Sequence, residues 1–194
     1  MVNSIGVISM NQNHRAFSLI SILLQYPNPE IIEQMDEITE EANKLSDLSI
    51  RMKIMKFLDY VAITSYQNLC NDYVSTFDFS ERTTLYLTYS VFKDNRERGP
   101  ALVKLRQEFL QVGAKLECDE LPDYLPLILE FASITDLQKS TKILALHLRS
   151  IERLALELEA LNSPYSHLVN ATIMLIKKLV TMKNMQQDKE RGII

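Results

Sequence analysis

The sequence predicts an all-α protein, a single helical-bundle domain of about seven to nine helices. Three observations carry that prediction. Glycine is scarce, at four in 194 residues, whereas all-β folds and phosphate-cradling loops use glycine at their turns. Apolar residues recur with the 3.6-residue period of a helix that buries one face. Only residues 83–92 have the composition of a strand, and one strand without a partner has no stability of its own.

The elements follow in order. The first thirteen residues carry no charge and no period, so 1–13 reads as a flexible leader to an all-helical domain over 14–183. A short apolar helix is expected over 14–26. Pro27-Asn28-Pro29 ends it, and Asn28 is placed to cap the next helix with Pro29 at its first position. That helix carries Ile31, Met35, Ile38, Ala42 and Leu45 on one face and Glu33, Glu37, Glu40 and Glu41 on the other. A third helix is expected over 50–77, with Ile54, Leu58, Val61 and Leu69 as its buried stripe.

The threonine, tyrosine and valine of 83–92 suit a strand. Asp78-Phe79-Ser80-Glu81, however, offers a capping acid with a glutamate three residues on. With no second strand to pair, a helix is expected there. The next helix spans 98–112, with Leu102, Leu105, Phe109 and Val112 inward, Pro100 in its first turn and Gly113 at its end. Leu121-Pro122-Asp123-Tyr124 opens another, with Pro122 in its first turn. Residues 125–132 are apolar nearly all round, the mark of a central buried helix. A long helix follows over 136–161, with Leu144, Leu148, Ile151, Ala155 and Leu158 in register. Ser163-Pro164 caps the last helix, whose stripe is Leu168, Thr172, Ile176 and Leu179. The polar residues 184–194 read as a disordered tail.

Composition narrows the function. A net charge of −4 argues against a general nucleic-acid binder. Cys70 and Cys118 lie far apart, with no histidine at ligand spacing, which fits a reducing compartment. The apolar run 16–24 is shorter than the roughly 20 residues a spanning helix needs, so no stable membrane insertion is expected and the location reads as cytoplasmic. There is no P-loop, GxGxxG, HExxH or GxSxG. Of His14, His147 and His167, His147 sits on a helix, and none of Ile143, Leu144 and Ile151 beside it is a metal ligand. No catalytic residue, metal ligand or bound cofactor is predicted, and the chain reads as a non-enzyme.

Two stretches stand out. Tyr73-Val74-Ser75-Thr76-Phe77-Asp78-Phe79, running into Arg82, Tyr86 and Tyr89, is the densest aromatic zone. Aromatics with a polar tip serve protein interfaces, but they also serve cores. Asp119-Glu120-Leu121-Pro122-Asp123-Tyr124-Leu125-Pro126, with Glu130 beyond, gathers acids at a helix start. They either compensate the helix dipole or form an acidic lip for a basic, apolar peptide. A third run, Lys93, Arg96, Arg98, Lys104 and Arg106, is either a solvated face or a phosphate-binding patch.

The same stretches carry a resemblance. The motifs are Leu23-Leu24-Gln25-Tyr26-Pro27; Tyr73-Val74-Ser75-Thr76-Phe77-Asp78; Leu85 with Leu87-Thr88-Tyr89; Asp94, Arg96 and Arg98-Gly99; and Leu121-Pro122-Asp123-Tyr124-Leu125-Pro126 with Leu129-Glu130-Phe131-Ala132. In this order they resemble the delta subunit of respiratory nitrate reductase, the molybdenum cofactor assembly chaperone of the NarJ family. That family lies within the redox-enzyme maturation chaperones, many of which have His after the Pro-Asp motif where Tyr124 stands here.

The resemblance implies an all-helical chaperone without enzymatic activity. Its partner would be the apo catalytic subunit of nitrate reductase, especially its N-terminal segment, with cofactor-delivery proteins as further partners. The chaperone would hold that subunit for cofactor insertion before membrane attachment. The residues expected to bind the client peptide are Tyr73, Phe77, Asp78, Arg82, Tyr86, Tyr89, Asp119, Glu120, Pro122, Asp123, Tyr124 and Glu130. Asp94, Arg96 and Arg98 form a second contact surface. The alternative is a helical carrier that binds the molybdenum cofactor, or another phosphorylated small molecule, directly.

Overall fold

The most apolar segment takes the central position its composition demands. In the computed structural model, which describes residues 11–111 and 120–190, helix α8 (Leu125–Ile134) buries Leu125, Ile128, Leu129, Phe131 and Ala132. Each such Leu or Ile stabilises the fold by about 1.5–3 kcal/mol. Helix α1 (Gln12–Leu23) packs along α8 and runs antiparallel to it. Ser21 Oγ donates to the Pro126 carbonyl at 2.7 Å near one end, and His14 Nε2 lies 3.0 Å from the Thr135 carbonyl at the other. The Thr135 carbonyl, at the C-cap of the buried helix, has no partner within the helix, and the His14 contact serves it.

The second layer is the hairpin of α9 (Leu137–Ala160) and α10 (Tyr165–Glu190). Both predicted stripes are buried, apart from half-buried Leu148. Thr172, the polar member, is satisfied by donating to the Leu168 carbonyl at 3.0 Å. The turn between them places Asn162 at φ 52°, a left-handed conformation asparagine tolerates better than most residues. Helix α4 (Leu48–Ile63) lies antiparallel on α10. Lys178 reaches Asp47 at 2.7 Å, and the Phe57 and Tyr165 rings lie 4.9 Å apart. The whole set shares one core.

The described residues hold ten helices and no strand. The all-α prediction is met, with two predicted helices each divided. Asn28 caps α2 (Pro29–Glu33) as expected, its Oδ1 accepting from Ile31 N at 2.8 Å. The helix then breaks at Gln34 before α3 (Met35–Asn43). The expected 50–77 helix breaks at Thr64, whose backbone is extended, and Ser65 caps α5 (Tyr66–Phe77). A β-branched residue followed by a good N-cap favours that break.

Other boundaries also move. α1 starts at Gln12, capped by Asn11, two residues earlier than expected. α10 runs past Lys183 to Glu190. Ser163 does not cap α10 through its hydroxyl, which has no partner; its carbonyl accepts from Ser166 N instead. Residues 1–10, Gly113, Cys118 and 191–194 fall outside the described residues. No helix among the described residues is long and apolar enough to cross a membrane.

Candidate functional site

The segment expected to be a helix over 83–92 is a strap, helical only at α6 (Tyr89–Phe92). Thr83, Leu85 and Leu87 are buried at 0–2% exposure, while Thr84 and Tyr86 between them are half-exposed. That is the period of two that strand composition signals. The missing partner is 123–125, 38 residues on from Tyr86 at Tyr124, with which it makes a single antiparallel bridge. Leu87 N donates to Asp123 O at 3.0 Å, and Leu125 N to Leu85 O at 2.9 Å. Asp78 accordingly ends α5 instead of opening a helix.

The bridge also delays α8. Pro122 is buried before the helix, and Pro126 occupies the first turn where Pro122 was expected. Asp123 and Tyr124 cannot be helical while they pair with the strap, and Leu125, the first residue of α8, gives its otherwise unpaired N–H to the Leu85 carbonyl.

Asp123 is the anchor of this arrangement and not part of an acidic lip. Its side chain has 0% exposure. Thr88 donates to Oδ2 through its backbone N–H at 3.1 Å and through its hydroxyl. Arg98, at the start of α7 (Arg98–Gln111), reaches the same oxygen through Nη2 at 3.3 Å and donates from Nε to Thr88 Oγ1 at 3.0 Å. A buried carboxylate needs such a partner set, because removing water from it is costly. Arg98 is therefore taken out of the expected basic patch, and it lies 5.4 Å over the Tyr89 ring. Lys93 pairs loosely with Glu81 at 3.9 Å. Asp94 and Arg96 remain exposed.

Tyr86 and Tyr89, three residues apart, would share one face of a helix over 83–92, but Tyr86 precedes α6 and they do not. Tyr89 stays with Arg98, whereas Tyr86 joins a run of tyrosines. The Tyr86 and Tyr124 rings lie 5.4 Å apart. Tyr124 meets Tyr73 hydroxyl to hydroxyl at 3.0 Å, and Tyr73 donates to the Leu24 carbonyl at 3.2 Å. Tyr26 stands edge-on to Tyr73 at 5.4 Å. At the far end Tyr86 donates to Glu120 Oε1 at 2.7 Å. Burial, and secondarily the Glu120 carboxylate, push the Tyr86 hydroxyl upward, so it remains a proton donor.

The expected residues thus divide. Tyr73 and Phe77 are core: both rings pack on buried Tyr165, at 5.9 and 4.8 Å. Pro122 and Asp123 are buried, and Glu130 is half-buried on α8. Tyr86 and Tyr124 are half-exposed, Glu120 is half-exposed, and Asp78 and Arg82 are exposed. Arg82 reaches Glu157 at 4.0 Å. Asp119 lies outside the described residues. Sequence reasoning missed Tyr26 (46% exposed) and Phe79 (84% exposed) as site residues. Tyr26 was legible as an aromatic just before a proline. Phe79 was legible as part of the aromatic zone, but nothing local distinguishes it from buried Phe77.

What remains is a ladder of tyrosines, from Tyr26 through Tyr124 to Tyr86, edged by Asp78 and Glu120. A narrow apolar crevice of about 20 Å³ opens beside it, among Pro27, Ile31, Met35 and Val61. Among the described residues no group of three or more His, Cys, Asp or Glu is placed to hold a metal. His147 is half-buried; desolvation lowers its pKa, with the Asp123 charge opposing.

The helical architecture is shared with a solved structure. It matches a crystal structure from Archaeoglobus fulgidus, described as a redox enzyme maturation protein, with a TM-score of 0.56, covering 91% of this chain and 99% of that one at 15% identity. That likeness concerns the fold. The nitrate reductase delta subunit family model matches residues 43–170. The chain is 33% identical over 172 residues to the Bacillus subtilis protein named as the nitrate reductase molybdenum cofactor assembly chaperone NarJ, covering 88% of this chain and 94% of that protein. It is also 33% identical to the Escherichia coli assembly chaperone NarW, over 60% of this chain and 48% of that protein. The chain belongs to the nitrate reductase delta subunit family.

Proposed function

We propose that the chain is a system-specific assembly chaperone, as its relatives are named, and that it acts by binding and not by catalysis. Its client is the apo catalytic subunit of nitrate reductase, kept in the cytoplasm and competent for molybdenum cofactor insertion before membrane attachment. The observation that carries the reading is the acid-edged tyrosine ladder on a chain of this family. Tyrosines present apolar area at low entropic cost. Two accessible acids at the margin steer a positively charged segment and set its register more than they add affinity. An amphipathic N-terminal segment of the client lays its apolar face on Tyr26, Tyr124, Tyr86 and exposed Phe79, in the helix-in-groove mode. Its positive charges face Asp78 and Glu120, the roles expected of Asp119 and Asp123 passing to these two.

Titration calorimetry with a synthetic peptide of the client's N-terminal segment tests the reading. Asp78→Lys with Glu120→Lys should weaken binding at least about tenfold, or 1.4 kcal/mol, with the helical circular dichroism spectrum unchanged. An unchanged dissociation constant would move the client elsewhere on the molecule.

A further inference from the structure

The outward face of α9 carries a pattern that the tyrosine ladder does not use. Lys142, Leu146, Arg149, Arg153, Leu156 and Ala160 recur at alternating steps of four and three, so they form one line along the helix, and all six are exposed. The opposite face is the buried stripe of Leu144, Ile151, Ala155 and Leu158. At roughly 1.5 Å per residue the outer line runs about 27 Å. It holds three cations, no acid, and two leucines exposed at 73% and 67%.

The glutamates of α9 lie off this line, and each has a partner. Glu152 meets Lys177 at 2.7 Å, Glu157 meets Arg82 at 4.0 Å, and Glu159 accepts from Asn170 at 2.8 Å. Arg149 and Arg153 belong to no ion pair among the described residues. Lys142 meets Glu108 at 3.8 Å, which sets α7 beside α9. On α7 the same mixture recurs, with Val103, Lys104, Arg106 and Leu110 exposed. The whole chain is acidic, at −4, so this face is a local reversal of charge. Five exposed acids, Glu30, Glu33, Asp36, Glu37 and Glu40, stand on α2 and α3, which carry no cation. α3 packs on α4, α4 on α10 and α10 on α9, so two helices lie between the acidic and the basic face.

We infer that the α9–α7 face docks on an anionic lipid surface, with its cations at the headgroup phosphates and Leu146 and Leu156 in the interface between them. Two arginines interrupt the leucines, so the face offers a partner helix no continuous apolar seam. Charge of one sign along the whole line answers the uniform negative potential of a leaflet, whereas a protein partner presents discrete charges in a fixed pattern. Lipid headgroups are free to move to the cations, and the arginine and lysine stems cover apolar surface while their heads stay at the phosphates. The acids of α2 and α3 then lie on the side turned away from the membrane, so the dipole of the molecule orients it. No helix among the described residues is long and apolar enough to cross a membrane, and docking of this kind lies on the surface without spanning it. The face shares no residue with the ladder, so lipid binding and client binding can be lost separately.

Flotation of the full chain with vesicles of phosphatidylcholine, alone or mixed with phosphatidylglycerol, tests the inference. The mixed vesicles should bind at least about tenfold more tightly, as expected for several cations at an anionic surface. Binding should fall steeply as salt shortens the screening length from about 10 Å at 0.1 M to about 3 Å at 1 M. Arg149→Gln with Arg153→Gln should weaken it at least about tenfold, and Leu146→Ser with Leu156→Ser should weaken it by a similar factor, both with an unchanged helical spectrum and client-peptide binding retained. Lys53→Gln with Lys56→Gln removes as much charge from α4 and should leave vesicle binding as it is. The inference is overturned if phosphatidylglycerol adds nothing, or if the lysine pair matters as much as the arginine pair. It is also overturned if the leucine pair is without effect and soluble polyglutamate displaces the vesicles completely, which would assign the face to an acidic protein surface.

Discussion

The α9–α10 hairpin and the strap that joins 83–88 to 123–125 are both held by buried residues, but in opposite ways. The hairpin carries its stability in a repeating stripe, with Leu144, Ile151, Leu158, Leu168 and Ile176 all at 0% exposure. Losing one methyl there leaves the rest in place. The strap has one antiparallel bridge, and its closure converges on a single carboxylate oxygen of Asp123 that serves Thr88 and Arg98 together. Distributed packing degrades gradually, whereas a convergent polar anchor fails as a unit.

The largest expected effect tests that contrast. Asp123→Ala strands Arg98 and the Thr88 N–H beside an apolar hole and should cost about 3–5 kcal/mol in urea melts. Asp123→Lys should be worse, because it sets a second cation against Arg98. Ile176→Val in the hairpin should cost only about 0.5–1.5 kcal/mol. If Asp123→Ala costs no more than Ile176→Val, the strap is held by its apolar residues Leu85 and Leu87, and the anchor is incidental.

The same contrast explains what was legible. The hairpin was readable because its partners recur within one helix, so period and stripe appear in a short window. The buried central helix was readable from composition alone. Asp123 was not, because an acid just before a helix looks the same locally whether it offsets a dipole or anchors a strap. Its partner Thr88 lies 35 residues away, and no window connects them. The strap's alternation at Thr83, Leu85 and Leu87 was visible, but the requirement for a second strand hid it; one bridge to 123–125 sufficed. Ser65 is a good N-cap residue, but the stripe that continues to Leu69 masks the break at Thr64. Of the candidate site, the aromatic zone was legible as a zone. Which of its rings are buried was not.

A smaller effect separates the two ends of the aromatic cluster. Phe77 packs on Tyr73 and Tyr165, with ring centroids 4.9 and 4.8 Å away, at 6% exposure. Phe77→Ala should cost about 3–5 kcal/mol of stability. Tyr86→Phe keeps the ring and loses the bond to Glu120, about 1.5–3 kcal/mol at most for a charged acceptor and less at a half-exposed site. Client binding should show the reverse ranking once corrected for folding, with Tyr86→Ala losing about 2 kcal/mol. Should Tyr86→Phe destabilise the fold as much as Phe77→Ala, the ladder is core throughout and the client surface must be sought around Asp94 and Arg96.

The smallest effect lies on the hairpin side, where Asp47 caps α4 and also joins α4 to α10. Its Oδ1 accepts from Ile50 N at 3.3 Å, and its Oδ2 meets Lys178 Nζ at 2.7 Å. The Lys178 bond, foremost, holds the Asp47 pKa below its ordinary value, with burial opposing and the Ile50 N–H assisting. A carboxyl whose folded pKa is depressed stabilises fully above the unfolded value, near 3.8 here. That contribution shrinks as the unfolded chain takes up its proton, and it is gone once the pH falls through the folded value. Both side chains are partly exposed, at 31% and 43%, so solvent and salt screen the pair and its worth is about 0–1 kcal/mol. Asp47→Asn retains an oxygen for the cap and removes the charge. It should lower stability by no more than about 1 kcal/mol at pH 7 in low salt, and the difference from the natural chain should vanish in acid and narrow at high salt. Asp47→Ala should cost a further 0.5–2 kcal/mol, roughly, at every pH, because it removes the cap as well. A pH-independent loss in Asp47→Asn equal to that in Asp47→Ala would show that the cap alone matters, and that α4 and α10 are joined by their apolar stripes without help from the ion pair.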